Sequence, residues 1–211
     1  MTSSGSGRRK IDYIGGSKAR RLPKTLSREE LTLLMKRPNV NCPTGLRNRA
    51  MLELMYSCGL RVGDICGLYL RDVRWAEGKL HIRPEVGKGG REAFVTLDDV
   101  ALEWLERWKA IRRKYAAGKP WLFVTLRAGP IDPHYVWEMV GRYARKAGIE
   151  RHVHPHMLRH TYATELLNDG FNIAEVQKLM RHSDIRTTSI YLHVRDAELD
   201  AKVRARRSAN E

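Results

Sequence analysis

The sequence has no run approaching the roughly 18 consecutive apolar residues that a membrane-spanning helix needs. Its opening residues, Met1 to Gly7, are small and polar and give no sign of a secretory leader. Cysteine is scarce. Cys42, Cys58 and Cys66 are odd in number and lack Cys-x-x-Cys spacing, which argues against a disulfide framework and a structural zinc site. No internal repeat is visible, and no cluster of carboxylates is spaced to hold Mg²⁺. These absences point away from membrane, secreted and disulfide-scaffold proteins and toward a reducing, cytoplasmic setting.

Positive charge, by contrast, is abundant. The 211 residues include 39 Lys and Arg against 24 Asp and Glu, a formal net charge of +15. Residues 1–24 carry seven basic groups against Asp12, and residues 195–211 carry five against four. The larger share of the excess therefore lies in residues 25–194. A basic body with a basic arm suits a polyanion, and nucleic acid fits better than an anionic membrane. With 42% hydrophobic residues, the chain also has material for a core.

Residues 1–25 are rich in Gly, Ser and basic side chains and read as a flexible arm or interdomain linker. Order is expected from Leu26, where Ser27 and Glu30 form a capping box and Leu26 and Leu31 a hydrophobic staple. A second helix is predicted from about 47 to 58, with Leu52 and Met55 at helical spacing and Gly59 ending it. The period then changes. Segments 79–83 and 92–97 read as strands joined through Gly87-Lys88-Gly89-Gly90. Asp98 caps a long helix that sets Ala101, Leu105, Trp108, Ile111 and Tyr115 on one face. A short strand is predicted at 121–124, then helices near 134–147, 156–168 and 172–181, and a last helical pattern over 185–205. The predicted fold class is mainly α with a small antiparallel β-sheet (α+β).

Several polar residues have no evident structural duty. Arg61 follows the helix-ending Gly59-Leu60, and arginine is the preferred group for bidentate phosphate recognition. Asp64 lies three residues on and can hold that guanidinium if the segment is helical. His156 and Arg159 are i,i+3 on one helix side, with His160 one step round. That segment has three readings: a hydrogen-bonded helix start, a metal site or a phosphate site. His152, His154 and His156 alternate across Pro155, a weak ligand pattern, so no metal is expected. An arginine beside a histidine suits an oxyanion that also exchanges protons. Tyr191 needs nearby cations to react, since a free phenol ionises near pH 10. Its sequence neighbours supply none.

Three stretches together resemble the tyrosine recombinases, the phage-integrase family. Gly59-Leu60-Arg61-Val62-Gly63-Asp64-Ile65 is similar to the family's first box, and the stretch from His156 through Arg159 to Leu167 to its second. The stretch from Leu179 through His182 to Tyr191 is similar to the run from the late histidine to the nucleophile. Order and spacing agree, and the resemblance spans about 26–194. It implies a catalytic-domain fold in which Arg61 and Arg159 clamp the scissile phosphate, and His156 and His182 assist proton transfer. Tyr191 would attack phosphorus to form a 3′-phosphotyrosyl bond, with Lys88 protonating the leaving 5′ oxygen. Asp64 and His160 take supporting roles. No cofactor is implied. The partner would be double-stranded DNA, bound by a tetramer on paired sites and a monomer when free, in the cytoplasm at the nucleoid.

Residues 26–194 would then be the catalytic domain, 1–25 the arm or linker, and 195–211 a tail that docks on a neighbouring protomer. The residues before Leu26 are too few for the helical clamp domain usual in the family, so an excised catalytic domain is expected, the alternative being a naturally minimal recombinase. Arg181 stands where the family commonly has Gly, which restricts the turn or adds a phosphate contact. Gly63 stands where a Ser is frequent. Two other readings compete: a DNA-binding module with this fold but no turnover, and a type IB topoisomerase. The complete set of Arg61, Lys88, His156, Arg159, His182 and Tyr191 favours the recombinase.

Overall fold

The computed structural model describes residues 24–87 and 92–181. Within them, seven α-helices accompany one three-stranded antiparallel sheet, in the predicted fold class. Helix α1 (Arg28–Met35) starts where expected: Glu30 N–H donates to Ser27 Oγ at 3.2 Å, and Ser27 N–H to Glu30 Oε2 at 2.8 Å. Leu26 and Leu31 are both buried in the core. Leu26 N–H also donates to Thr161 Oγ1 at 2.9 Å, tying the start of the chain to helix α6 (Pro155–Asn168).

Helix α2 (Pro43–Ser57) begins four residues before the predicted start. Pro43 sits in the first turn, where its missing N–H costs nothing and its fixed φ suits the helix. Arg47 therefore lies inside α2, 3% exposed, at the centre of a polar network. Its Nη1 donates to the Val124 carbonyl at 2.8 Å and its Nη2 to the Tyr135 hydroxyl at 2.7 Å. The Tyr135 hydroxyl in turn donates to Asn48 Oδ1 at 3.0 Å. Helix α3 (Val62–Gly67) follows one short turn later.

The sheet has the order β1-β2-β3. Strands β2 (Lys79–Ile82) and β3 (Ala93–Thr96) pair antiparallel as predicted, with Leu80 opposite Val95 and Ile82 opposite Ala93. Strand β1 (Val73–Arg74) was not foreseen, since two residues show no alternation. Near the hairpin end, the His81 ring stacks on Phe94 with centroids 4.8 Å apart, and its Nε2 lies 2.6 Å from Glu92 Oε1.

The predicted strand at 121–124 forms only a single bridge at each end, Tyr69 with Trp121 and Val124 with Pro130. Its carbonyls go to side chains instead. Arg112 Nε and Trp108 Nε1 donate to the Leu122 carbonyl at 3.0 and 2.9 Å, and Arg47 takes that of Val124.

Helix α4 (Asp99–Ala116) is capped by Asp98, which accepts from Ala101 N–H at 2.7 Å. Ala101, Leu105 and Trp108 are fully buried as predicted. Beyond Trp108 the buried stripe runs through Arg112 and Ala116, leaving Ile111 and Tyr115 only partly covered. A 3.6-residue period carries the inward face to position 112, and Arg112 is admitted there because carbonyls meet its guanidinium. Helices α5 (Pro133–Lys146), α6 and α7 (Ile173–Leu179) lie close to their predicted spans. The main core joins α1 to α5 with the sheet, while Ala163, Leu166, Leu167, Val176 and Met180 make a second cluster between α6 and α7. No helix among the described residues is long and apolar enough to cross a membrane. The pattern at 185–205 lies outside the described residues.

Replacing Arg47 with Ala should cost about 3 kcal/mol, because the Val124 carbonyl and the Tyr135–Asn48 pair lose a charged donor in a dry setting. Urea denaturation with an unchanged m-value is the measurement. A loss below about 1 kcal/mol would mean that water replaces the guanidinium.

Candidate functional site

Gly59 sets up the site. Its φ of +57° is left-handed, and a Cβ at this position would stand 2.7 Å from a ring carbon of Tyr162 and 3.1 Å from Met180 Sδ. Only glycine lets the chain turn here with α6 and the end of α7 pressed against it. The turn buries Leu60 and delivers Arg61 to the N-cap of α3.

Asp64, 1% exposed, accepts the Arg61 main-chain N–H on Oδ2 at 2.9 Å. A carboxylate at this position satisfies an orphan helix donor and sits at the positive end of the helix. The expectation that Asp64 holds the Arg61 guanidinium is thus corrected. Across a helix start the i,i+3 carboxylate turns back onto the backbone and fixes Arg61 through its main chain. The side chain paired with Asp64 is Arg181, whose Nη2 lies 2.6 Å from the same oxygen. Burial pushes the Arg61 pKa below its ordinary value; Asp64 opposes this and Arg181 adds to it.

Arg159 comes from α6 and is 4% exposed. Its Nη1 donates to the Gly59 carbonyl and its Nη2 to the Met180 carbonyl. Two of the five donors of the guanidinium therefore fix the plane of the fork. Because Gly59 lies two residues before Arg61, the same contact holds the two arginine-bearing segments together.

His156, in the first turn of α6, is exposed, and its ring meets Trp137 edge-on with centroids 6.0 Å apart. His154 stacks on the same indole at 5.4 Å. Burial lowers the His154 pKa, helped by His156 and His152. His160 is half-buried, and burial foremost, with the charges of His156, Arg159 and His154, pushes its pKa down to about 4. The rings of His152 and His154 lie 5.9 Å apart and those of His154 and His156 6.3 Å. Among the described residues, no group of three or more His, Cys, Asp or Glu could hold a metal ion.

Two tyrosines on the neighbouring helices are poor candidates for nucleophile. Burial pushes Tyr162 up to about 12 and Tyr56 higher still. Phenols that resist ionisation are slow to attack.

The structure brings Arg61, Asp64, Arg159 and Arg181 together where α3, α6 and the exit of α7 meet, with His156 and His160 on the same helix as Arg159. Lys88, His182 and Tyr191 lie outside the described residues. Sequence reasoning noted Arg181 at its turn but missed its partner, because Asp64 is 117 positions away in the chain. The available signal was a long side chain where the backbone asks for glycine.

The chain matches the family model of the Phage integrase family over residues 24–198. It is similar to the tyrosine recombinase XerD of Pseudomonas aeruginosa, 40% identical over 181 residues that cover 84% of this chain and 60% of the relative. XerD of Ralstonia nicotianae is 42% identical over 177 residues, 82% of this chain and 57% of the relative. The chain thus spans about 60% of the length of these relatives. Among solved structures, XerA recombinase superposes with a TM-score of 0.75 at 28% identity, covering 88% of this chain and 66% of that one. XerH site-specific recombinase bound to palindromic difH substrate, in a post-cleavage complex, gives 0.76 at 25% identity, with coverages of 92% and 57%.

The low pKa of His160 has a consequence for stability. As pH falls from about 6.5 toward 4, the unfolded chain takes up a proton that the folded chain refuses, so stability declines across that window. Thermal melting at about pH 7 and pH 4.5 should show a smaller drop for His160→Gln than for the wild type. Equal drops would place the titration elsewhere.

Proposed function

The chain belongs to the phage integrase family, and on that premise we propose that it cleaves and rejoins double-stranded DNA by site-specific recombination. Tyr191 attacks the scissile phosphorus, giving a 3′-phosphotyrosyl bond and expelling the 5′ oxygen, which Lys88 protonates. His156 and His182 carry the proton transfers and hydrogen-bond the phosphoryl oxygens in the transition state. Arg61 and Arg159 bind the non-bridging oxygens, with Asp64 and His160 in support. Rejoining is the reverse attack by a 5′-hydroxyl, so the bond energy stays in the covalent intermediate and no ATP is consumed.

The observation that carries this reading is the bond from Arg159 to the Gly59 carbonyl. It links two sequence-distant arginines through a glycine turn with no room for a side chain. A clamp on developing phosphate charge needs donors held in place before the substrate arrives, because reorganisation during reaction would offset their benefit. Fixed guanidiniums also lower the cost of forming a phenolate nearby. DNA as the partner is supported by the net charge of +15 and by the likeness to XerH site-specific recombinase bound to its palindromic difH substrate.

In this reading the protein is a monomer when free and a tetramer on paired sites. Residues 26–194 form the catalytic domain, residues 1–25 act as arm or linker, and residues 195–211 dock on a neighbouring protomer. It works in the cytoplasm at the nucleoid.

Incubation with a nicked suicide substrate followed by denaturing electrophoresis tests the proposal. Wild-type chain should form a covalent species, and Tyr191→Phe should form none. Affinity for the DNA should stay within about twofold, since it comes from many phosphate contacts. An adduct that survives Tyr191→Phe names another nucleophile. Arg61→Ala and Arg159→Ala should each slow cleavage roughly a hundredfold or more, the scale for losing one preorganised donor. Chelation with EDTA should leave the adduct intact, because arginines and a lysine supply the charge that a metal otherwise would. Loss of adduct that a divalent ion restores would turn attention to the His152–His156 ledge.

A further inference from the structure

We infer that Arg181 is a positioning residue for strand cleavage: through Asp64 it locks the Arg61 turn to the point where the chain leaves α7 for His182. The inference rests on the recombination reading above and deepens it. Arg181 follows Met180, the C-cap of α7, and has φ +53°. Side chains are disfavoured in this left-handed region, which suits glycine. A long charged side chain at such a position needs a compensating interaction, and Asp64 supplies one. Arg181 Nη2 donates to Asp64 Oδ2 at 2.6 Å, with the two side chains 13% and 2% exposed. The pair is therefore largely shielded from water, where a charge-assisted bond is strong.

The same carboxylate oxygen accepts the Arg61 main-chain N–H, so one atom joins the start of α3 to the exit of α7. Arg159 makes a second tie between the same two segments, two residues away on one side, at Gly59 rather than Arg61, and one residue away on the other, at Met180 rather than Arg181. A single tie fixes a distance and still allows rotation. Two ties side by side fix direction as well. With both in place, Arg61 and Arg181 are set relative to each other. Arg181 Nη2 is committed to Asp64, and Arg181 Nε is buried with no hydrogen-bond partner among the described residues, so the guanidinium is anchored to the α3 turn. Arg181 thus acts through Asp64 and the backbone.

The test uses the full chain and a nicked half-site suicide substrate, comparing wild type with Arg181→Gly, Arg181→Gln, Arg181→Lys, Asp64→Asn and the Arg181→Gln/Asp64→Asn double variant. Three quantities are read: single-turnover cleavage at saturating DNA, half-site Kd and melting temperature. Misplacement by a fraction of an ångström lowers rate without lowering binding, so Arg181→Gly and Arg181→Gln should cleave at least about tenfold slower with Kd within about twofold. Arg181→Lys, which keeps the charge, should recover part of the rate. The double variant should be no slower than the slower single one, because both remove the same tie.

Arg181→Gly relieves the backbone, so a folding defect there leaves Arg181→Gln as the deciding variant. Cleavage at the wild-type rate, even with a lowered melting temperature, overturns the inference. So does a Kd that rises in step with the loss of rate, which would mark a direct phosphate contact, or multiplicative losses in the double variant. A wild-type chain that forms no adduct overturns the recombination reading, and this inference with it. An active wild type beside an equally active Arg181→Gln overturns this inference alone.

Discussion

A guanidinium at 4% exposure must find acceptors, and Arg159 finds them on two carbonyls that its own helix does not supply. Gly59 follows α2 and Met180 caps α7, so both carbonyls lie at helix ends, where the backbone has no further partner of its own. One side chain thereby satisfies its charge and two orphan acceptors at once. The second hydrophobic cluster, Ala163 to Met180, keeps α7 against α6 so that the Met180 carbonyl stays within reach. Packing and polar satisfaction depend on each other here: the apolar contacts set the carbonyl's position, and the charge sets the cost of moving it.

The electrostatics of this corner follow from the same burial. Arg61, Arg159 and Arg181 gather around one buried carboxylate, Asp64, which leaves a surplus of positive charge. Desolvation foremost, with the charges of His156, Arg159 and His154, discourages protonation of the imidazole at His160. At neutral pH the site therefore combines permanent cations with an imidazole held in its neutral form.

What the sequence revealed was local. The Ser27–Glu30 box and the Asp98 cap are written in residues three apart, and the β2–β3 hairpin follows from alternation over a few positions. The three boxes carried the family. The features that escaped were set by distant partners. The apolar run at 121–124 resembles a strand in every local respect, yet Trp108, Arg112 and Arg47 take its carbonyls. Arg47 and Arg112 look like surface charges until the carbonyls that receive them are in view. Asp64 was placed at the correct turn with the wrong side-chain partner, because no spacing rule connects it to Arg181. Lys88, His182 and Tyr191 rest on the boxes and on chemistry.

Gly59 has an implication for how mutations in this protein would be read. A side chain there would press on Tyr162 and Met180 together and so push α6 and α7 apart from one point. In a saturation screen scored only by loss of activity, this position should tolerate nothing, as a nucleophile does, though it bears no functional group. Intolerance at such a site reports the volume that is missing. Ranking residues by mutational sensitivity would therefore set an empty space beside the charged groups it holds in line.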